Sequence, residues 1–324
     1  MKGYKGFRKG LICKGKQYAE NTVFEEEAVI CKNGMHFYKN PFDVLDYYGF
    51  VDENGHMNEF AEVEALAETD TNDDKKYCTT KLKVGAKLSF AGFVKACVDF
   101  VLEKTTLEMG DDDENKIGSS GDYAQIGSSG DYAQIGSSGD YAQIGSSGYY
   151  AKIGSSGYYA QIGSSGYYAK IGSSGYSAKI GSSGDYAQIG SSGDYAQIGS
   201  SGDYAHIGSS GYYAQIGSSG YYAQIGSSGY YAQIGSSGYS AKIGSSGDSA
   251  QICSTGEDSV ICCAGHNSAV KAKKGSWITL SEWKYSEEKN RMVPLCVKTE
   301  YVDGERIKAD TFYHLVKGEF KEVN

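Results

Sequence analysis

From Ile117 to Ala269 the chain repeats one nine-residue word seventeen times, beginning Ile117-Gly118-Ser119-Ser120-Gly121-Asp122-Tyr123-Ala124-Gln125. A fixed period of this kind marks a repeat architecture, in which units stack on their neighbours and none folds alone. A nonamer has too little apolar surface for its own core, so Ile at position one and Ala at position eight must pool across stacked units. Ala124 and Ile126, like Ala133 and Ile135, stand two residues apart and point to one side of an extended strand. Tyr, Gln and Lys then fall on the other side. The Gly-Ser-Ser-Gly segment supplies small residues and two glycines free to adopt positive φ, which suits a tight corner. The expectation is strand, corner, strand, corner: a β-solenoid.

Nine residues are too few to close a coil, so two nonapeptides per coil are expected. Seventeen units then give about 8.5 coils and, at roughly 4.8 Å between strands, a rod on the order of 40 Å long. Gly/Ser/Tyr-rich tracts can be disordered, but they scatter their tyrosines and lack an invariant Ile. A longer period lies above the nonamer: Ile117 to Lys179 returns almost verbatim as Ile180 to Lys242, a tandem duplication of 63 residues. Seven units is an odd number, so with two units per coil the second copy lands with its faces exchanged, which implies equivalent faces. The same arithmetic keeps ladders of like charge short, because Asp122, Asp131 and Asp140 alternate sides.

The formal charge of −9 includes −5 in the array, from nine acids against four lysines, and no segment is a basic patch. Direct nucleic-acid binding therefore has no support. A DNA decoy fails on magnitude, because a duplex 40 Å long carries about 24 charges. Met1-Lys2-Gly3-Tyr4-Lys5-Gly6-Phe7-Arg8 has no apolar run behind it, and no stretch approaches a membrane span, so a soluble, cytoplasmic protein is expected. Cysteines 13, 31, 78, 97, 253, 262, 263 and 296 show no framework spacing, which fits reduced thiols.

Residues 1–110 are expected to form an α+β domain. Asn40 caps a helix from Pro41 to Tyr48, Phe60–Leu66 and Cys78–Val84 alternate as strands, and a helix runs from Ser89 to Lys104 with the stripe Val94, Cys97, Val98, Val101 and Leu102. Residues 111–116, with Asp111 to Glu114, form an acidic linker into the solenoid of 117–269. In residues 270–324, the alternation Trp277 to Trp283, the segment Met292 to Val302, a turn at Val302-Asp303-Gly304-Glu305 and the segment Arg306 to Val316 read as a β-meander. This meander would cap the last open edge of the rod, and the N-terminal domain would cap the first.

Three constellations resemble sites and are read as structural. Cys253, Cys262, Cys263 and His266 match no standard zinc spacing, and Cys253 and Cys262 occupy the second position of their nonamers as relaxed corner residues. His36 could act as base to Cys31, but no third member or oxyanion donor is evident. Asp111 to Glu114 lacks the alternation and Gly of a calcium loop. No metal, cofactor or catalytic residue is expected.

Tyrosines at positions six and seven are the candidate binding residues. Tyr149, Tyr150, Tyr158, Tyr159, Tyr167 and Tyr168 form one block, and Tyr212, Tyr213, Tyr221, Tyr222, Tyr230 and Tyr231 a second. Stacked rings would reinforce the coils by about 0.5 to 1.5 kcal/mol per pair. Two exposed aromatic ladders would also offer a flat recognition surface for a protein or a glycan.

Cys31-x-Asn33-Gly34-x-His36-Phe37 leading into Asn40 to Tyr48, the nonamers themselves, and Lys274-Gly275-Ser276-Trp277-Ile278-Thr279-Leu280-Ser281-Glu282-Trp283 together resemble a family of uncharacterised bacterial and phage-encoded proteins. In that family a small N-terminal domain, Gly-Ser-rich nonapeptide repeats and a Trp-containing C-terminal β cap occur together. The resemblance implies a phage or mobile-element origin and brings no catalytic residues. This chain is unusually regular and has Ile where relatives often have a polar or small residue.

Three functions are expected in order. The first is a non-enzymatic interaction rod that binds a host protein through its repeat faces, as an anti-defence inhibitor for example. The second is a structural or adhesive component of a virion or cell surface, for which a homo-oligomer would speak. The third is an enzyme in the N-terminal domain with the solenoid as spacer.

Overall fold

A computed structural model describes residues 1–26, 34–52, 56–71, 73, 75–105 and 116–323. The array is a β-solenoid. Positions nine, one, two and three of each nonamer form one strand, as in Lys116–Ser119, Gln125–Ser128 and Gln134–Ser137. Alternate strands build two parallel sheets, in which every strand lies in register on the one eighteen residues away: Ile117 pairs with Ile135, and Ile126 with Ile144. Two nonapeptides therefore make one coil. Ile at position one and Ala at position eight close the interior, with Ile144, Ile162 and the alanines from Ala133 to Ala250 fully buried. Serine at position three also points inward, and Ser128 and Ser164 accept the N–H of the fifth-position glycine, which tightens the corner.

The corners differ from the sequence expectation in which residue carries the strain. Neither glycine of the repeat has positive φ; the seventh residue does, at all seventeen positions, with φ between 53° and 60°. Left-handed backbone costs an L-residue roughly 1 to 2 kcal/mol. The corners from Tyr123 to Ser249 offset this by donating their seventh-position N–H to the next coil, as Tyr132 does to the Tyr149 carbonyl at 2.7 Å. Toward the end of the array position seven becomes Ser240, Ser249, Asp258 and Asn267, the last two being types that enter this region more readily. The fifth-position glycine is fixed by crowding: a Cβ on Gly148 would stand 2.0 Å from the Gly130 carbonyl oxygen one coil away.

Residues 277–322 continue both sheets. A hairpin of Trp277–Ser286 and Arg291–Tyr301 extends one sheet from Val260–Cys263, and a hairpin of Tyr313–Val316 and Glu319–Glu322 extends the other from Ala269–Lys271. The expected single meander is thus two hairpins, one per sheet. Asp303 organises the predicted turn by accepting the N–H groups of Glu305, Arg306 and Ile307, and the chain stays irregular until Tyr313. The outer strand Arg291–Tyr301 carries Pro294 and Lys298, which suit an edge that must not recruit another chain.

The N-terminal part is a seven-stranded antiparallel sheet in the order Thr22–Glu25, Lys81–Leu88, Glu59–Ala65, Lys2–Phe7, Met35–Tyr38, Lys76–Thr79, Thr69–Thr71. Two helices accompany it. Helix α1 is only Pro41–Val44, shorter than expected, with Asn40 Oδ1 accepting the Phe42 N–H at 3.0 Å. Helix α2 is Phe90–Thr105. The boundary at 110 and most of the linker 111–116 lie outside the described residues, and Lys116 already belongs to the first array strand.

The N-terminal domain was expected at the end of the rod; instead it lies along the flank. Helix α2 and residues 40–51 and 57 pack on one of the two array sheets, the covered sheet, from Gly127 to Gly235. Its glycines at position two are what let the domain approach. A Cβ on Gly127 would meet the Thr105 carbonyl oxygen at 1.7 Å, one on Gly199 the Phe50 ring at 2.8 Å, and one on Gly217 the Phe90 ring at 2.5 Å. Rings and valines reach backbone because no side chain intervenes.

These contacts separate three glycines of the repeat, Gly148 at position five and Gly199 and Gly154 at position two, by outcome. Gly148→Ala should destabilise the protein by about 1 to 3 kcal/mol or more through overpacking between coils. Gly199→Val should destabilise or dislodge the N-terminal domain, whereas Gly154→Ala on the opposite sheet should leave the melt within about 0.5 kcal/mol of wild type. Thermal unfolding followed by far-UV circular dichroism, with a trypsin time course for domain release, distinguishes them.

Candidate functional site

The opposite, open sheet holds the same strands without a covering domain. From Gly118 to Gly244, a Cβ added at any second-position glycine of this sheet meets nothing within 4 Å. A shallow trough runs over these coils, floored by glycine and walled along one side by position nine. Nothing in the fold of the described residues requires glycine there.

Position nine differs between the sheets. On the covered sheet it is Gln except at Lys179 and, in the last unit, Ala269, and three of these residues hold the N-terminal domain. Asn40 Nδ2 donates to Gln161 Oε1 at 3.0 Å, Gln197 Nε2 to the Leu45 carbonyl at 3.0 Å, and Lys179 Nζ to the Phe42 carbonyl at 3.0 Å and to Asp46 at 2.6 Å. On the open sheet it reads Lys116, Gln134, Lys152, Lys170, Gln188, His206, Gln224, Lys242 and Val260, all exposed and without a carboxylate. The duplicated halves make the contrast sharper. They differ at three of their 63 positions: Gln143 against His206, Lys152 against Gln215, and Lys170 against Gln233. Each difference puts the basic residue on the open sheet and Gln on the covered one. The faces are thus equivalent in backbone, as the odd-numbered duplication implied, and unlike in surroundings.

The tyrosines called from sequence sit at the two edges between the sheets, and each block of three pairs is split. Tyr149, Tyr150, Tyr167 and Tyr168 share one edge with Tyr221 and Tyr222; Tyr158 and Tyr159 share the other with Tyr212, Tyr213, Tyr230 and Tyr231. The rings that stack are mainly those of position seven, held outward by the left-handed backbone. Along one edge Tyr132, Tyr150, Tyr168, Tyr186, Tyr204 and Tyr222 form an unbroken ladder with centroids 4.9 to 5.2 Å apart. Position six alternates in role: where it is Asp, its Oδ1 accepts the N–H of position six in the next coil, as Asp140 does from Tyr158 at 2.8 Å. Sequence reasoning missed this cap; the signal was that Asp never occurs at position seven until Asp258.

In the N-terminal domain, His36 lines a pocket of about 220 Å³ with Lys5, Cys13, Lys14, Tyr48 and Lys76. Its proposed partner Cys31 lies outside the described residues; the thiol on this pocket is Cys13, which accepts the Tyr48 hydroxyl at 3.1 Å. Buried Lys5 donates to the His36 carbonyl at 2.7 Å. Burial first, then Lys76, Lys14 and Lys5, push the His36 imidazole down to about 4. Burial likewise lowers the Lys5 ammonium. Residues 1–96 match the family model of a domain of unknown function, DUF7666. No curated protein and no solved structure matches the chain. The pocket lies wholly within the residues that match this model, and the trough wholly within the repeats.

The cysteines near the end of the array part company. Cys253 sits buried on the covered sheet, Cys262 exposed on the open sheet, and Cys263 inside the coil; all three are strand residues and not corners. Among the described residues no three His, Cys, Asp or Glu side chains converge as metal ligands.

The His36 shift has a definite sign. The unfolded chain takes up a proton near the ordinary imidazole value of 6.5 that the folded pocket refuses until about 4. The stability contribution is therefore full above that upper value and is lost as the pH falls between the two. His36→Gln should flatten this part of the pH–stability curve, and an NMR titration of the imidazole gives the folded value directly.

Proposed function

We propose that this chain is a non-enzymatic β-solenoid interaction protein that binds a protein partner through its open sheet and the tyrosine edge beside it. The observation that carries this reading is the unequal use of two faces built from one repeat. One is filled by the chain's own N-terminal domain and helix α2; the other keeps an uncovered glycine floor and has collected the basic residues. A rigid rod loses little conformational freedom on binding, and tyrosine adds large contact area at low entropy cost. The resemblance to phage-encoded proteins extends the reading: the partner is a host protein, met in the bacterial cytoplasm, and inhibition of a host defence is the use such a binder would serve.

A second reading has its own observation. The DUF7666 pocket gathers a thiol, an imidazole, a phenol and several lysines, so an activity in residues 1–96 with the rod as spacer is the alternative.

Affinity capture from a bacterial host lysate separates the two. With the full chain as bait, a partner should be retained and then lost on Tyr149→Ser and Tyr167→Ser combined with Gly154→Val and Gly172→Val. Substituting Cys13→Ser and His36→Gln should leave capture intact. Capture that ignores the open-sheet changes and fails with the pocket changes would transfer the function to the DUF7666 domain.

A further inference from the structure

Resting on the reading above, we infer that the trough of the open sheet is a helix-binding groove whose occupant is an acidic amphipathic α-helix of the partner protein. The covered sheet shows what such a groove accepts. Helix α2 lies along its glycines with Thr105 over Gly127 and Phe90 over Gly217. The fifteen residue steps from Phe90 to Thr105 span about 22 Å of helix, and the five coil steps between the two glycines span about 24 Å. The apolar face of the helix, with Phe90, Val94, Val98 and Val101, rests on bare backbone. The open sheet repeats this floor without interruption from Gly118 to Gly244, and Cys262 and Thr279 close it. Seven coil steps give roughly 34 Å, the length of a helix of about 22 residues.

Charge decides the character of the occupant. Lys152 and Lys170 are register partners on adjacent coils, directly above one another and exposed. Neither has an acidic partner among the described residues. Like charges stacked in this way are unfavourable in the free rod and become favourable when carboxylates lie along the groove. Their edge neighbours are Tyr149, Tyr150, Tyr167 and Tyr168, so no aspartate of positions six or seven precedes either lysine in its own unit. Lys116 and Lys242 continue the row toward the two ends. A second copy of this chain does not fit, since face-to-face packing of two open sheets would bring lysine rows of one sign together. The occupant is thus a helix with small and branched apolar residues on one stripe and Asp or Glu along one flank.

The probe is a fluorescein-labelled synthetic helix of 22 residues that repeats the α2 stripe of Phe and Val at spacings of three and four, with glutamates along one flank. Fluorescence anisotropy against the full-length chain should give saturable binding. It should weaken about tenfold or more with K152E/K170E, and be abolished by G154V/G172V/G190V, variants whose thermal melt should match wild type because the added side chains meet open space. A proline-broken peptide of the same composition should bind at least about tenfold more weakly. The inference is overturned if the helix does not bind, if the proline-broken peptide or a DNA duplex binds equally well, or if filling the trough changes nothing. Should a captured host protein depend on the open sheet while the acidic helix fails to compete with it, the helix falls and protein binding stands. If instead the helix binds and competes with no captured protein, the groove stands and the wider reading falls.

Discussion

Everything in this molecule depends on the in-register stacking of each coil on the one eighteen residues away. That single constraint brings identical residues into vertical rows: Ile on Ile inside, Ser on Ser at the inner corner, glycine on glycine outside, and tyrosine on tyrosine at the edges. It also sets where glycine is obligatory. At position five the backbones of neighbouring coils approach so closely that no Cβ fits. At position two the requirement comes only from whatever lies on the sheet, and so it holds on one face and not on the other.

The solenoid was legible because periodicity is a direct record of stacking. Invariant Ile117, Ile126 and Ile135, with Ala two residues before the later ones, told which side is inside, and the unit length told that two units close a coil. In the N-terminal domain the strand expected at Phe60–Leu66 and helix α2 were legible to within a residue or two because their alternation and stripe are strong. The expected strand Cys78–Val84, by contrast, is the end of Lys76–Thr79 and the start of Lys81–Leu88, and the other four strands of the sheet were not read. The corners were misread because glycine is the usual holder of positive φ, whereas here the hydrogen bond from Tyr132 to the next coil, repeated at the corners from Tyr123 to Ser249, holds the seventh residue there.

The site was legible only in part. Tyrosines at positions six and seven were rightly placed outward, but grouping them by sequence block mixed the two edges, since consecutive units face opposite ways. The position of the N-terminal domain could not be read, because its anchors on the array, Gln161, Lys179 and Gln197, have the same identities as the exposed position-nine residues of the open sheet. What the sequence did contain was the distribution of basic residues between duplicated halves, and that becomes meaningful only once alternate units are known to face opposite sides.

The glycine floor has a consequence for how anything is positioned along the rod. A helix advances about 5.4 Å per turn and a coil about 4.8 Å, so the two spacings fall back into step only after roughly eight turns and nine coils. A floor with side chains would therefore clash somewhere with every docked helix, whereas a floor of bare backbone is indifferent to sliding. Longitudinal position must then be fixed by the wall, as Lys179 fixes Asp46 and Gln161 fixes Asn40. The rod is a ruler whose surface is blank and whose graduations are written at position nine. Changing one Gln to Lys moves a mark without disturbing the scale.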